Sequence, residues 1–226
     1  MKKVAVIGAG ISGLFIANLF KRNEKYQVTI FERNSLIDLK EGYGIQLSVN
    51  SVKLLNKIQF DTLEDNEKFN PKKINFYSIK NSNKICELNI SDFNTENCKY
   101  TTLKRSSLID FLKKDLEKEI KFNHTISKIE QQDQIVKIAF ENNEAYEFDY
   151  LIVSDGVFSK SKNLLSKNKI QPKYDDTLAI RGIIPSSSNI ADKKNISLFL
   201  GSNFHYVIYP VSDAVSYTHL TLPTKA

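Results

Sequence analysis

A glycine-rich turn between a strand and a helix constrains this chain more than any other feature. The apolar run Val4–Ile7 predicts a β-strand, and Gly8-Ala9-Gly10-Ile11-Ser12-Gly13 follows it directly. The apolar spacing from Leu14 to Phe20 then predicts a helix. In this setting the spacing G-x-G-x-x-G is typical of a dinucleotide-binding turn, whereas the same glycines elsewhere would be weak evidence. The alternative is a glycine-rich turn in an ordinary α/β protein.

The three glycines have separate structural reasons in such a turn. Gly8 allows the chain to turn sharply after the strand, Gly10 lets a diphosphate approach the backbone, and Gly13 lets the helix pack closely on the sheet. The unpaired N–H groups of the first helical turn also favour a negative ligand. A second apolar run, 27–31, predicts the next strand, and Glu32 follows it. An acidic side chain at this position accepts hydrogen bonds from the ribose hydroxyls of adenosine.

Composition and charge exclude several other classes. The 226 residues are 41% hydrophobic, which allows a packed core. The net charge of +6 comes from lysines interspersed with acidic residues, as in 113–119, which is typical of a solvated helix face and not of a nucleic-acid surface. No apolar run approaches the ~20 residues of a membrane-spanning helix, and the N-terminus does not resemble a secretory signal. We therefore predict a cytoplasmic protein with no integral membrane segment and no nucleic-acid partner.

The cysteines and histidines do not predict a metal site. Cys86 and Cys98 lack metal-ligand spacing, and the three histidines, His124, His205 and His219, do not cluster in the sequence. Two reduced thiols are the expected state of the cysteines in a cytoplasmic protein.

A second loop with two glycines lies between residues 41 and 50. Gly42 and Gly44 are one residue apart, so the backbone there can approach a ligand, although a simple connecting loop is the alternative. Asn50 or Ser51 can cap the helix that follows. Further along the chain, Arg105 stands at the start of a predicted helix, where a cation is unfavourable for the helix dipole unless an anionic ligand is near. An exposed surface arginine is an equally good interpretation.

The remaining chain predicts mainly strands. Residues 74–79 and 84–88 predict a hairpin, and residues 124–130, 134–140 and 145–148 predict a three-stranded antiparallel meander in place of a crossover helix. An apolar strand then ends in Asp155-Gly156, which the strand order places beside the first glycine turn. Strands over 178–184, 196–200 and 204–211 are expected to form a sheet with the 74–88 hairpin.

Together these motifs resemble the class A flavoprotein aromatic hydroxylases, the family of the p-hydroxybenzoate, salicylate and ubiquinone-biosynthesis hydroxylases. The resemblance covers about residues 1–211 and is closest to the salicylate-hydroxylase-like branch. The matching motifs are the glycine turn, Glu32-Arg33, the loop from Gly42 to Asn50, Arg105, and the run 155–159. The resemblance implies an α/β fold in which a Rossmann-like FAD-binding domain, with a parallel sheet and a meander crossover, is interleaved with a β-rich substrate domain.

The resemblance also implies a function and a set of cofactor contacts. It implies an enzyme in which NAD(P)H reduces FAD, and the reduced flavin with O₂ transfers one oxygen atom to a small aromatic substrate. The residues expected to bind cofactor are Gly8, Gly10, Ile11, Ser12, Gly13, Glu32, Arg33, Gly44, Ile45, Gln46, Arg105, Asp155 and Gly156. The sequence identifies no catalytic side chain, no metal ligand, no oligomeric state and no preference between NADH and NADPH.

Two departures from the family pattern lie around the Asp-Gly pair. Ser154 stands where the family usually has alanine, and Lys162 stands near the position of a family arginine. Lysine keeps the positive charge but lacks the two-pronged hydrogen bonding of a guanidinium group.

The predicted domains are 1–68 with 100–165 for FAD, and 69–99 with 166–214 for substrate. Residues 215–226 fit no family strand and differ in composition from the rest of the chain, so we expect a non-native tail and leave it out of the predicted fold. The family continues well beyond Pro210, so we expect an N-terminal fragment that is itself inactive.

Several alternatives stay open. The scaffold also suits a reductase or a halogenase, and the chain itself could be a nucleotide-binding remnant without turnover. His205, Tyr206 and Tyr209 are substrate-site candidates only by position, and packing in the core or the sheet is the favoured role for each.

Overall fold

The computed structural model describes residues 1–39, 43–166, 170–185 and 192–223. The α-helices are α1 (Ile11–Lys21), α2 (Val49–Leu55), α3 (Arg105–Lys113) and α4 (Lys160–Leu165). Short 3-10 helices cover Asn56–Ile58, Phe60–Thr62, Asp65–Glu67, Ile90–Phe93 and Glu117–Glu119. The strands are β1 (Lys2–Ile7), β2 (Tyr26–Phe31), β3 (Gly44–Leu47), β4 (Lys68–Phe69), β5 (Lys73–Ser78), β6 (Lys84–Asn89), β7 (Thr101–Lys104), β8 (Ile120–Lys121), β9 (Ile126–Gln132), β10 (Ile135–Phe140), β11 (Ala145–Phe148), β12 (Tyr150–Val153), β13 (Thr177–Pro185), β14 (Ile196–Leu200), β15 (His205–Ser212) and β16 (Val215–Pro223).

The chain divides into two compact units. The first unit contains Met1–Asp38 and Ile109–Lys173, and the second contains Leu39–Leu108 and Tyr174–Ala226. This division differs from the predicted domains, because residues 39–68 and 100–108 fall in the second unit. The reason is the pairing of β7 with both β3 and β4, which joins segments far apart in sequence into one small antiparallel sheet.

A parallel sheet forms the centre of the first unit, in the strand order β12-β1-β2-β8. Helix α1 buries Gly13, Leu14, Ala17 and Asn18, which recur at helical spacing along one face. The side-chain amide of the buried Asn18 donates to the carbonyl oxygens of Leu14 at 2.9 Å and Leu112 at 2.7 Å. These two hydrogen bonds satisfy a polar group that would otherwise destabilise the core.

The predicted meander is present in the first unit as β9, β10 and β11, which pair antiparallel. Its apolar face shares a buried cluster with β1 and β2, in which the Phe31 ring centroid lies 4.5 Å from that of Phe140 and 5.8 Å from that of Phe148. Burial of large aromatic rings is a major source of stability in a small core. The meander therefore holds the strand ends that carry the glycine turn and Glu32.

The second unit contains a six-stranded sheet in the order β13-β16-β15-β14-β5-β6. The predicted hairpin of β5 and β6 is present, and β14 pairs parallel with β5, as the expected common sheet requires. The buried residues of this unit's main cluster are Ile90, Ile196, Val207, Tyr209, Val211 and Tyr217.

Residues 215–226, predicted to be a non-native tail and left out of the predicted fold, include a strand. Val215–Pro223 is β16, and it pairs antiparallel with β13 on one side and with β15 on the other. Ser216 and Tyr217 are buried within the unit. The predicted tail was excluded on composition, whereas its alternation of apolar and polar side chains is typical of a strand. Residues 224–226 lie outside the described residues.

Candidate functional site

Gly8 adopts a backbone conformation that side-chain-bearing residues rarely take. Its φ angle is +101°, and a Cβ atom built there would lie 2.5 Å from the carbonyl oxygen of Ser154. The Gly8 N–H donates to the carbonyl oxygen of Phe31 at 2.8 Å, so the turn is tied to the end of β2. Both observations agree with the tight turn predicted for this position.

Gly13 and Gly10 differ sharply in the space around them. A Cβ atom on Gly13 would lie 1.9 Å from the carbonyl oxygen of Gly8, so α1 packs against the turn with no room for a side chain. A Cβ atom on Gly10 would meet no atom within 4 Å. The absence of a side chain at Gly10 is therefore not explained by packing among the described residues, which is what a place for a ligand predicts.

Among the described residues, no side chain caps the N-terminus of α1. Gly10 is the N-cap residue, and the first turn, with Ile11 and Ser12, holds no acidic residue. Unpaired N–H groups and the positive end of the helix dipole together favour a diphosphate at this position.

Glu32 lies immediately after β2 and is bonded to the glycine turn. Its Oε2 accepts from the Ala9 N–H at 2.9 Å, and its Oε1 accepts from the Asn34 N–H at 3.0 Å. A carboxylate has about four acceptor positions, so two are left for ribose hydroxyls. Arg33, the next residue, is exposed in a bend. The structure thus brings the predicted acid to the glycine turn.

Asp155 lies two residues after β12, the strand that pairs with β1 on the side opposite β2. The Ser154 N–H and its Oγ both donate to the carbonyl oxygen of Ile7 at 2.9 Å, so the end of β12 is fastened to the end of β1. Oδ2 of Asp155 accepts from the Ser161 N–H at 3.1 Å, whereas Oδ1 is buried without a described partner. The predicted placement of Asp155 beside the glycine turn is confirmed.

The carboxyl group of Asp155 is held in its ionised form. Burial opposes ionisation and is the largest single influence, but hydrogen bonds from Ser159 and Ser161 together outweigh it and lower the pKa of Asp155 below its ordinary value. Gly156 follows with a φ angle of +80° and open space around its Cα. Ser154 entered the prediction only as a departure from the family pattern, whereas its two bonds to Ile7 make it part of the turn's support.

The other predicted cofactor residues lie in the second unit. β3 carries Gly44, Ile45 and Gln46, and its antiparallel register with β7 ends at the pair Gly44 and Lys104. The Arg105 N–H donates to the carbonyl oxygen of Tyr43 at 2.6 Å, so Arg105 lies at the same end of β3 as Gly44. Glu41 and Gly42 of this loop lie outside the described residues.

The cap of α2 differs from the prediction. Ser48 is the N-cap residue, one position before the helix begins at Val49, so neither Asn50 nor Ser51 caps it. The Ser48 hydroxyl donates to Oδ1 of Asn50, which explains why a side chain with capping chemistry stands inside the first turn.

Over residues 1–39, 43–166, 170–185 and 192–223 no group of three or more His, Cys, Asp or Glu side chains is arranged to hold a metal ion. Within the same ranges no helix has the length and apolar character needed to cross a membrane.

Comparison with known proteins agrees with this geometry. Residues 6–37 match a family model described as an NAD(P)-binding Rossmann-like domain, which includes the glycine turn and Glu32. The chain is 25% identical to a 3-amino-4-hydroxybenzoate 2-monooxygenase of Streptomyces cremeus, over 93% of this chain and 54% of that protein. It is 23% identical to a salicylate hydroxylase of Pseudomonas putida, over 92% of this chain and 51% of that protein. The chain therefore spans about half the length of the curated relatives it matches.

Solved structures confirm the fold. HpxO of Klebsiella pneumoniae, in a crystal structure with FAD and uric acid, matches with a TM-score of 0.90 and 18% identity, covering 100% of this chain and 57% of that one. A salicylate hydroxylase substrate complex matches with a TM-score of 0.82 and 18% identity, covering 100% of this chain and 56% of that one. The predicted α/β class with a Rossmann-like sheet is confirmed, as is the resemblance to flavin-dependent aromatic hydroxylases.

Proposed function

Because this chain is a relative of the class A flavin-dependent aromatic hydroxylases, we propose that it supplies the ADP-binding part of an FAD-dependent monooxygenase that uses NAD(P)H and O₂. The observation that carries the proposal is the open space at Gly10, beside an uncapped helix N-terminus and within the turn that Glu32 supports. That arrangement fits a dinucleotide, since phosphate oxygens can approach only where no side chain intervenes.

Different described residues would contact different parts of FAD. The N–H groups from Gly10 to Gly13 would bind the diphosphate, and Glu32 would accept from the adenosine ribose through the acceptor positions its backbone bonds leave free. Arg33 and Arg105 would provide positive charge along the ADP half, with β3 residues Gly44, Ile45 and Gln46 providing backbone contacts. Asp155 and Gly156 would contact the cofactor from the end of β12.

When bound, FAD supplies the redox chemistry, and the protein supplies position, charge and exclusion of water. The ionised Asp155 carboxylate can accept a hydrogen bond from the cofactor but cannot donate one at neutral pH. We infer an enzyme that acts on a small aromatic molecule, as the names of the relatives suggest. We also propose that it is cytoplasmic. Since the chain spans only about half of those relatives, we also propose that the 226 residues alone do not complete a turnover.

The proposal predicts that the charge of Glu32 contributes to the affinity for FAD. We expect Glu32→Gln to weaken FAD binding by about 1–3 kcal/mol, because the amide still accepts from Ala9 but loses the charge that strengthens its bonds to ribose hydroxyls. The measurement is quenching of flavin fluorescence in a titration of FAD with the purified chain. Glu24→Gln is the matched control, because Glu24 is also a carboxylate near the glycine turn in sequence but is exposed.

Two outcomes would contradict the proposal. One is a chain that binds NAD but not FAD, which would favour an NAD-dependent dehydrogenase consistent with the matched domain's description. The other is an equal loss of FAD affinity in the Glu32 and Glu24 variants. A reductase or halogenase on the same scaffold would also bind FAD, so these alternatives are separated only in the full-length protein, where neither would give a hydroxylated product from aromatic substrates with NAD(P)H.

A further inference from the structure

A buried histidine lies beside Glu32 in the first unit, and none of the cofactor contacts proposed above uses it. His124 is 8% exposed, and its ring centroid lies 5.3 Å from that of Phe31 and 4.9 Å from that of Phe140. The segment 121–124 that carries it connects β8 to the meander. A polar ring at this depth has left water, so its two nitrogens need partners within the protein.

Both nitrogens of the His124 ring face oxygen atoms. Nδ1 lies 2.6 Å from the carbonyl oxygen of Phe122, and Nε2 lies 3.2 Å from Oε2 of Glu144. The hydroxyl of Tyr146, and after it His124, lower the pKa of Glu144, so this carboxyl is ionised at neutral pH. Carbonyl and carboxylate oxygens accept hydrogen bonds and cannot donate them. Only the doubly protonated ring can therefore donate to both partners.

The carboxylate of Glu144 is held in place by its own neighbours. The Tyr146 hydroxyl donates to Oε2, and the side-chain amide of Asn142 donates to Oε1 at 3.2 Å. Nζ of Lys121 in turn donates to the Tyr146 hydroxyl at 2.9 Å. The charged or titratable groups on the elements packed around the ring are Glu32, Arg33, Lys121, Glu141, Glu144 and Tyr146. Among the described residues, Glu144 is the one whose charged group bonds to the ring itself.

The backbone of the segment 121–124 holds Glu32 from both sides. The Glu32 N–H donates to the carbonyl oxygen of Lys121 at 2.9 Å, and the His124 N–H donates to the carbonyl oxygen of Glu32 at 2.9 Å. The Asn123 N–H also donates to the carbonyl oxygen of Asn34 at 3.1 Å. The carbonyl group that Nδ1 of His124 bonds lies between these contacts in the chain. A change at the histidine ring therefore reaches the acid that is bonded to the glycine turn.

We propose that His124 is a positioning residue for Glu32, and that its protonated ring, paired with Glu144, holds the segment 121–124 in the form that presents Glu32 to the adenosine ribose. The inference rests on the proposed function, because it assigns a regulation to the same FAD site. When the ring loses a proton, one nitrogen presents a lone pair to an oxygen atom, so one of its two bonds is lost. Histidine ordinarily changes charge between about pH 5 and 8, so the affinity for FAD should fall as the pH rises through that range.

The pH dependence of FAD binding tests the proposal. FAD is titrated into the full chain across the range in which histidine changes charge, and quenching of flavin fluorescence gives the dissociation constant. We expect this constant to rise about threefold from the acid to the alkaline end, which is the scale of one half-exposed ion pair. His124→Phe keeps an aromatic ring among Phe31 and Phe140 and removes both nitrogens. It should bind FAD at every pH as weakly as the parent does at the alkaline end.

Variants of the carboxylate separate positioning from a general loss of stability. Glu144→Gln should also bind FAD independently of pH, but with the higher affinity, because an amide can donate to a neutral ring and accept from a charged one. Glu147→Gln is the matched control. Glu147 is an exposed carboxylate three residues further along, paired with Lys137, and its loss should leave the pH dependence of the parent unchanged.

A second measurement does not require FAD. The backbone amide signals of Glu32 and Asn34 in nitrogen-15 correlation spectra of the free chain should shift with pH across the histidine range. In His124→Phe the same signals should stay constant, because the group that changes charge beside them has been removed.

The outcomes separate this inference from the proposed function. A chain whose Glu32 amide signal follows the protonation of His124, but that binds no FAD at any pH, would refute the monooxygenase and keep the positioning role. A chain that binds FAD with the same pH dependence in the parent and in His124→Phe would refute the positioning role alone. Circular dichroism checks the fold of each variant. If His124→Phe is unfolded, Glu144→Gln decides, since an unchanged pH dependence in that variant would also overturn the inference.

Discussion

At the scale of single residues, the glycine turn separates structural from ligand-related constraints. Gly8 and Gly13 are required by the chain itself, because a Cβ at either would lie within 2.5 Å of a backbone oxygen. Gly10 is not required in this way, since its Cβ would meet nothing within 4 Å. A G-x-G-x-x-G pattern therefore combines two positions set by folding with one that a bound nucleotide explains.

This contrast predicts that alanine at Gly13 mainly lowers stability, whereas alanine at Gly10 mainly weakens FAD binding. Gly13→Ala should lower the free energy of unfolding by about 3 kcal/mol, because the added methyl group meets a backbone oxygen that cannot move without displacing β1. Gly10→Ala should cost about 1 kcal/mol or less, the range of an altered helix cap, and yet weaken FAD binding strongly. Urea unfolding followed by circular dichroism measures the first effect, and a flavin titration measures the second. Equal stability losses would show that the space at Gly10 has been misjudged.

At the scale of elements, Asp155 joins strand β12 to helix α4. Its Oδ2 accepts from the Ser161 N–H while Ser159, the N-cap residue, accepts from the Lys162 N–H at 2.9 Å. The helix spans only six residues and would be marginal alone, so its start depends on these side-chain bonds. The same carboxylate is therefore both a support for the strand end and a candidate cofactor contact.

The lowered pKa of Asp155 predicts how stability depends on pH. Its pKa is lower in the folded chain than the ordinary value of 3.8, so the folded state binds the proton less readily than the unfolded state. The stabilisation is thus present above about that value and is lost as the pH falls through the folded pKa. Asp155→Asn should be less stable than the parent at neutral pH, and this difference should shrink as the pH falls through the folded pKa, which lies below 3.8.

Unfolding in urea at neutral pH and at acid pH measures this difference in stability. Asp133→Asn is the control, because Asp133 is an exposed turn residue with a positive φ that asparagine also tolerates. A constant gap between the Asp155 variant and the parent across the acid range would mean that the carboxylate's charge has no part in stability.

The elements also separate what the sequence could predict from what it could not. The turn from Gly8 to Gly13, the meander and the β5–β6 hairpin depend on neighbours within a few residues, and all were predicted. The β3-β7-β4 sheet was not predicted, since its register joins residues 44–47 and 68–69 to 101–104 and no local pattern encodes that pairing. For this reason residues 39–68, predicted to lie in the FAD domain, group with the second unit in the structure. The prediction that Asn50 or Ser51 caps α2 was wrong, because several adjacent side chains can cap a helix and the sequence does not distinguish them.

At the scale of the whole molecule, each unit has a core of its own. In the first unit, rings from the meander and β2 share a cluster with Ala5 and Ile7. In the second, residues of β14, β15 and β16 form most of the buried set. Each core combines two chain segments that are separated in the sequence by residues of the other unit. Composition along the chain does not reveal that such distant segments pack together. The pairing of β13 with β16, which places Arg181 opposite His219, is likewise a matter of strand register between distant segments.

The position of β16 between β13 and β15 gives the last prediction. A chain ending at Ala214 should lose the cooperative unfolding of the second unit, because β13 would lose its partner along all nine residues from Thr177 to Pro185 and buried Tyr217 would be removed. The first unit should keep its helical signal, since its core contains none of these residues. A chain ending at Pro223 is the control, as it keeps β16 and removes only residues outside the described ranges. Near-ultraviolet circular dichroism of tyrosine reports on the second unit, and far-ultraviolet circular dichroism reports on the first. If both truncated chains unfold like the parent, β16 adds nothing to the cooperative unfolding of the second unit, which would contradict this prediction.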